Sequence, residues 1–290
     1  MRALRNLLIT VILLGLLAVA AGIGIALWYS YRRQPLPLSD QCIARVADAD
    51  VALTTEQAHN AAIIVGVSTQ HGLAPRAATI ALATAYQESG LRNLDYGDRD
   101  SLGLFQQRPS QGWGTAEQVQ DPYWASDRFY DALVAVPGWE SGDVNDVAQT
   151  VQRSGFPEAY RQHVENARRI ASSLTGQTPA SFSCRVASPP VGDPAGLTAF
   201  LSRTLPGDVA VRNGGDRVVI EAPTSRAAWS AAQIAVSQTS GYGVSRVELG
   251  DRSWTADPRG FAWWSGEGTE GTTVTIFFDD VASPTPTPGR

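Results

Sequence analysis

The sequence predicts a mainly helical domain followed by a small α+β domain, both behind one N-terminal transmembrane helix. Three observations support this fold class. An apolar run opens the chain, helix-start signals and helical periodicity dominate from about residue 54 to 175, and strand-like alternation follows the second cysteine. The 290 residues suffice for two domains that each bury a core. The predicted segments are an anchor at 1–30, a stalk at 31–40, the helical domain at 41–186, a linker at 187–193, the α+β domain at 194–282 and a disordered tail at 283–290.

The predicted anchor is the apolar run of residues 7–29, whose one mildly polar residue is Thr10. At ~1.5 Å per residue, a helix of this length crosses a bilayer. The alternative is a cleaved signal peptide, because residues 18–20 read Ala-Val-Ala, as cleavage sites often do. The apolar run continues past this site, which favours an uncleaved single-pass anchor in the cell membrane. Both alternatives export the rest of the chain, and cleavage would secrete it.

Charge and histidine placement exclude two classes of function. The net charge of −5 argues against nucleic-acid binding through bulk electrostatics. His59, His71 and His163 are scattered and match no metal-ligand spacing. We therefore predict no metal site, no cofactor and no nucleic-acid partner.

The chain has two cysteines, Cys42 and Cys184, at opposite ends of the predicted helical domain. In an exported protein such a pair is more often a disulfide than a catalytic pair. A bridge would close a long loop, which is worth ~4–5 kcal/mol in the chain-entropy model. We therefore predict a disulfide that ties the two ends of this domain together.

Helix signals follow one another through the first domain. A capping box, Thr54-x-x-Gln57, starts one helix, and Pro75 suits the first position of the next. That second helix carries no charge between Ala77 and Tyr86, so it belongs inside the domain. Further helices are predicted from Thr115, from Pro122 to about Val136, from Asp143 through Arg153, and from Pro157 to Leu174.

After the predicted linker, two helices alternate with two hairpins and a closing strand, TVTIFF. Four tryptophans in this part of the chain have two possible roles. Exposed, they would form a glycan- or protein-binding face, and buried, they would form the core of a small domain. They are Trp229, Trp254, Trp263 and Trp264.

Glu88 stands near the end of the uncharged helix that Pro75 starts. Partial desolvation there disfavours the charged carboxylate and raises its pKa. A carboxyl group that stays protonated near neutral pH can act as general acid on a glycosidic oxygen. The alternative is a helix-end glutamate that caps the loop after it.

The segment around Glu88 resembles the lysozyme-like superfamily, specifically lytic transglycosylases and goose-type lysozymes. Similar blocks occur in membrane-anchored cell-wall proteins of actinobacteria, and the resemblance covers about residues 45–176. The chain departs from the family at Gln152-Arg153-Ser154-Gly155, where Tyr-Asn-Ala-Gly is usual. The matching residues are Glu88-Ser89-Gly90, Gly103-Leu104-Phe105-Gln106, Pro109 and Asp121-Pro122.

The resemblance implies that the chain cleaves peptidoglycan glycan strands at the bond between N-acetylmuramic acid and N-acetylglucosamine. Glu88 would protonate the leaving oxygen, and the sugar's own acetamido or C6 hydroxyl group would complete a transglycosylase reaction. A muramidase would instead place water with a carboxylate, for which Asp95, Asp98 and Asp100 are the candidates. The candidate substrate-binding residues are Ser89, Asp100, Gln106, Gln107, Trp113 and Tyr160. The alternative function is a non-catalytic wall-binding or scaffold protein, and no protein partner is indicated.

Overall fold

The structure is a computed structural model that describes residues 2, 15–16, 19–24 and 39–281. Most of the predicted anchor and stalk, and the predicted tail, lie outside these residues. Within the part of the chain that is described, no helix is long and apolar enough to cross a membrane. The chain divides into two units, Met1–Ser39 and Asp40–Arg290, and the second is described below.

The prediction of a mainly helical first domain is wrong, because the structure has about 44% helix and 18% strand in two antiparallel sheets. One sheet belongs to the half that was predicted to be helical. Its strands are β1 (Gln41–Val46), β2 (Ala49–Thr54) and β3 (Phe182–Arg185), in the order β2-β1-β3. The hairpin between β1 and β2 turns at Ala47 and Asp48, which have φ of 51° and 58°. Such a turn usually contains Asn or Gly, so this one gives little sequence signal.

The predicted disulfide between Cys42 and Cys184 is present. The two cysteines face each other in the pairing of β1 with β3. The bridge therefore ties the first strand of the helical half to the last, with all its helices between them.

The helices of this half mostly begin where the sequence predicts. The capping box at Thr54 and Gln57 starts the first helix, and Pro75 starts the second, whose last residue is Ser89. In chain order the helices are α1 (Thr55–Gln70), α2 (Pro75–Ser89), α3 (Ala116–Gln120), α4 (Pro122–Val134), α5 (Val144–Gln152) and α6 (Val164–Leu174).

One helix start was wrong. The helix predicted from Pro157 begins at Val164, and Arg161–His163 before it form a 3₁₀ turn. Tertiary contacts outweigh helical periodicity here. The Asn145 side chain of α5 donates to the Pro157 carbonyl at 2.9 Å, and Tyr160 is completely buried.

The C-terminal half contains the predicted helices, hairpins and closing strand. The closing strand β8 lies in the middle of an all-antiparallel sheet with the order β4-β5-β8-β6-β7. The elements are α7 (Pro194–Thr204), β4 (Ala210–Asn213), β5 (Arg217–Glu221), α8 (Ser225–Val236), α9 (Thr239–Tyr242), β6 (Val244–Leu249), β7 (Arg252–Thr255) and β8 (Thr273–Phe278).

Buried polar contacts join this sheet and its helices to the disulfide-linked half. The Gln233 amide of α8 is fully buried, donates to the Ser173 carbonyl at 2.6 Å and accepts from the Ser181 backbone at 2.8 Å. Gly66 of α1 lies so close to Thr204 that an added Cβ would stand 2.4 Å from its side chain. The described residues from Asp40 onward therefore belong to one unit.

The four C-terminal tryptophans mostly contribute to this shared core. Trp229, Trp254 and Trp264 are buried, and the Trp264 indole donates to the Phe182 carbonyl of β3 at 3.1 Å. Trp263 is partly exposed, and the guanidinium of Arg45 lies 4.0 Å from its ring centre. Of the two roles considered, the structure shows core packing for three of the four.

Candidate functional site

Helix α2 places Glu88 at the edge of the core. Every residue from Ala77 to Ala85 is buried, so the helix runs through the interior. Gly90, with φ of 65°, ends it in a left-handed cap whose N–H donates to the Tyr86 carbonyl at 3.0 Å. Glu88 therefore occupies the last turn and is only partly buried.

Two side chains favour the Glu88 carboxylate. The Tyr160 hydroxyl donates to Oε1 at 2.7 Å, and the Gln152 amide, which donates to the Phe105 carbonyl at 2.8 Å, is close enough to lower the pKa of Glu88. Burial raises the pKa of Glu88 above the usual value for a glutamate, and these two side chains offset part of that rise. A general acid requires a pKa that is raised in this way.

The residues after Tyr160 also hold the last turn of α2. Gln162 donates to the Gln87 side-chain oxygen at 3.2 Å, and His163 contacts the same oxygen at 3.2 Å. The rings of His163 and Tyr86 are stacked, with their centres 5.5 Å apart. Tyr86, Gln87 and Glu88 are therefore all fixed by residues 160–163.

Ser89 links the helix end to the next segment of the site. It is buried, and its hydroxyl lies 2.7 Å from the Leu104 carbonyl and 3.0 Å from that of Ala85. Gly103 has φ of 77°, and a Cβ there would stand 2.2 Å from the Val119 carbonyl. The structure thus places Ser89 as a connector between α2 and residues 103–107.

The two glutamines of that segment point in different directions. Gln107 is buried, and its amide donates to the Ala125 carbonyl at 3.0 Å. Gln106 is partly exposed and has the left-handed backbone, with φ of 47°. Its amide donates to the Tyr96 carbonyl at 3.2 Å and packs against Gly97, where a Cβ would stand 2.0 Å from its Oε1. Gln106 therefore holds the loop of residues 94–101.

The aspartates of this loop differ in how they are bound. Asp100 accepts from Arg108 at 2.9 Å and from the Ser110 backbone at 2.7 Å. These donors hold the pKa of Asp100 far below its usual range. Asp95 and Asp98 are exposed. Asp100 thus links the loop of residues 94–101 to the turn at Pro109–Gln111 through hydrogen bonds.

Trp113 is partly buried and lines a groove between α4 and α5. The groove has a volume of about 690 Å³. Gln152, the neighbour of Glu88, lines it too and is the last residue of α5. The Gln152 amide also donates to the Phe105 carbonyl at 2.8 Å.

Tertiary structure adds two features that the sequence analysis did not find. Gln152 is a partner of Glu88, and Tyr160 contacts Glu88 itself through its hydroxyl group. The resemblance named Tyr160 only as a substrate-binding residue. Gln152 stands where the family pattern has Tyr, so neither motif nor periodicity indicated its role.

The described residues contain no group of three or more His, Cys, Asp or Glu side chains that would hold a metal ion. Among the side chains brought together here, Glu88 alone combines a carboxyl group with a raised pKa. No known protein-family model matches the chain, and no curated protein matches it significantly.

Proposed function

We propose that this protein cleaves the glycan strands of peptidoglycan, with Glu88 as general acid and base. The observation that carries the proposal is the state of Glu88, a partly buried carboxyl group at the end of a buried helix with one oxygen held by Tyr160. Its raised pKa favours the protonated form that the first step needs. The resemblance of residues 88–109 to lytic transglycosylases supplies the substrate class.

In the proposed first step, Glu88 gives its proton to the glycosidic oxygen while the bond from that oxygen to C1 of the muramic-acid residue breaks. Tyr160 donates to Oε1 and so leaves Oε2 for the proton. The developing carboxylate is stabilised by Tyr160 and Gln152, which already favour the charged form. In the second step Glu88 takes the proton of the C6 hydroxyl as its oxygen bonds to C1. The product is a 1,6-anhydro end.

We favour a transglycosylase over a muramidase because both carboxylate oxygens of Asp100 already accept hydrogen bonds from the protein. It is the one loop aspartate that is not fully exposed, and Arg108 and Ser110 bind its two oxygens. Placing a water molecule would require it to give up these contacts. Asp95 and Asp98 are exposed side chains of the same loop. In the described part of the chain, no hydrogen bond connects either of them to Glu88.

The proposal includes a location outside the cytoplasm. The disulfide between Cys42 and Cys184 supports it, since structural disulfides persist in oxidising compartments. A non-catalytic wall-binding protein is the second candidate. The observation in its favour is Arg153, which replaces the asparagine usual in the family.

The deciding experiment is digestion of purified peptidoglycan by the wild type and by Glu88→Gln, with products identified by mass spectrometry. Losing the general acid should lower the rate ~10²–10⁴-fold, and wild-type products should carry anhydro ends. Glu140→Gln is the matched control, because Glu140 is exposed and outside the site. Reducing ends would indicate a muramidase. No product from the wild type would favour the wall-binding function, and equal product from Glu88→Gln would reject Glu88 as the general acid.

A further inference from the structure

The groove beside Glu88 has one charged residue in its lining, Arg153. The Arg153 side chain is exposed, and no acidic group of the described residues lies within ion-pair distance of it. Every other part of the lining is neutral. Much of it is aliphatic, contributed by Ala132, Ala135, Val136, Pro137 and Val151.

This chemistry fits a ligand that carries both aliphatic groups and a carboxylate. A guanidinium binds a carboxylate through two parallel N–H donors, and its affinity for a neutral hydroxyl is weaker. Glycan backbones of alternating amino sugars are neutral and rich in hydroxyl groups. The lactyl and peptide substituents of peptidoglycan, by contrast, present methyl groups and free carboxylates. The groove volume of about 690 Å³ is in the range of ordinary small-ligand sites.

The groove adjoins the proposed catalytic residue. Gln152 lines the groove and is close enough to Glu88 to lower its pKa, and Arg153 is the next residue along the chain. A strand whose glycosidic bond lies at Glu88 would therefore bring the substituent of a neighbouring sugar to the groove. Trp113 supplies a flat aromatic surface on the same groove.

We propose that this groove binds the carboxylate-bearing peptide substituent of the glycan strand, with Arg153 as the carboxylate-binding residue. The inference rests on the proposed function and narrows its substrate to strands that still carry peptides. Arg153 is then a specificity-determining residue at the position where the resemblance to the family breaks down.

The test compares cleavage of peptide-bearing strands with cleavage of strands from which an amidase has removed the peptides and whose freed lactyl carboxylates have then been converted to amides. Arg153→Asn removes the charge and suits the backbone, because Asn tolerates the left-handed conformation of this residue, with φ of 51°. The variant should cleave peptide-bearing strands roughly tenfold to a hundredfold more slowly and peptide-free strands at the wild-type rate. Arg153→Lys should show a smaller loss of cleavage rate on peptide-bearing strands. Arg259→Asn is the control, because Arg259 is 94% exposed and does not line the groove.

Equal losses on both substrates, or none on either, would overturn the proposal. A binding experiment separates its failure from failure of the enzyme proposal. Calorimetry would compare a disaccharide that carries the peptide with the same disaccharide whose lactyl group ends in a neutral amide instead. Tighter binding of the first, lost in Arg153→Asn, supports the groove even for a protein that cleaves nothing. Equal binding of both disaccharides to the wild type contradicts it.

Discussion

At the scale of single residues, Glu88 experiences two opposing effects. Burial raises its pKa, and the Tyr160 hydroxyl and the Gln152 amide lower it. The sequence predicted the first effect, because the helix around Glu88 has no charge between Ala77 and Tyr86. It did not predict the second, because Tyr160 is 72 residues from Glu88 in sequence. Only the fold, with its turn at Arg161–His163 directly after Tyr160, brings the hydroxyl to the carboxyl.

Tyr160→Phe tests how these effects combine. Removing the hydroxyl removes a hydrogen bond that lowers the pKa of Glu88, so this pKa should rise further. Because the general acid must be protonated, the loss of activity with increasing pH should begin at a higher pH than in the wild type. The rate at the optimum should fall about tenfold, because the carboxyl loses a hydrogen bond that orients it. The measurement is a pH–rate profile on peptidoglycan.

Tyr130→Phe is the matched control for that profile. Tyr130 is also completely buried, and its hydroxyl donates to the Ile64 carbonyl at 2.9 Å, far from Glu88 in sequence and with no bond to it. Its removal should lower stability without moving the alkaline side of the profile. If both variants shift the profile equally, Tyr160 has no specific effect on Glu88.

At the scale of elements, the sequence predicted the helix starts that are set by residues at the helix end itself. The capping box at Thr54 and the proline at position 75 set two helix starts. The hairpin of β1 and β2 escaped prediction because its turn, Ala47-Asp48, lacks the residues that usually adopt a positive φ. Strand β3 escaped because its four residues pair with β1 across 142 positions of sequence.

The contact between α2 and the segment after it gives a prediction for Ser89→Ala. The Ser89 hydroxyl is buried 2.7 Å from the Leu104 carbonyl, and its loss removes the direct bond between these two segments. The free energy of unfolding should fall by ~1–3 kcal/mol in urea denaturation. Backbone hydrogen exchange of residues 102–107 should quicken.

Ser126→Ala provides the comparison. Ser126 is equally buried, but its hydroxyl donates to the Pro122 carbonyl of its own helix α4 at 2.7 Å. This variant should change the exchange of residues 102–107 little. If Ser89→Ala is no more costly than Ser126→Ala and leaves that exchange unchanged, Ser89 does not couple the helix to the segment.

At the scale of the whole molecule, the C-terminal half supports the half that carries the site. Gln233 of α8 bonds to α6 and to the segment before β3, and Trp264 bonds to β3. Composition marked residues 187–193 as a linker between domains. It gave no sign of these contacts, because the partners lie on elements more than 50 residues apart.

A chain that stops after residue 186 should therefore fail to fold as the full chain does. It would expose Phe182 and the buried faces of α1 and α6 to water. We expect no cooperative transition in thermal unfolding. A chain that stops after residue 281 should unfold like the full chain. A cooperative transition of the shorter chain at the full-length temperature would show an independent first domain.

The disulfide described above also determines what a single backbone break would do. Cys42 and Cys184 are 142 positions apart in sequence, and the residues between them include Glu88, Gln106, Trp113, Arg153 and Tyr160. A protease that cut after Arg99, whose side chain is 70% exposed, would separate Glu88 from Tyr160 along the chain. The two fragments would nevertheless stay covalently joined. The site is thus protected against fragmentation until the disulfide is reduced.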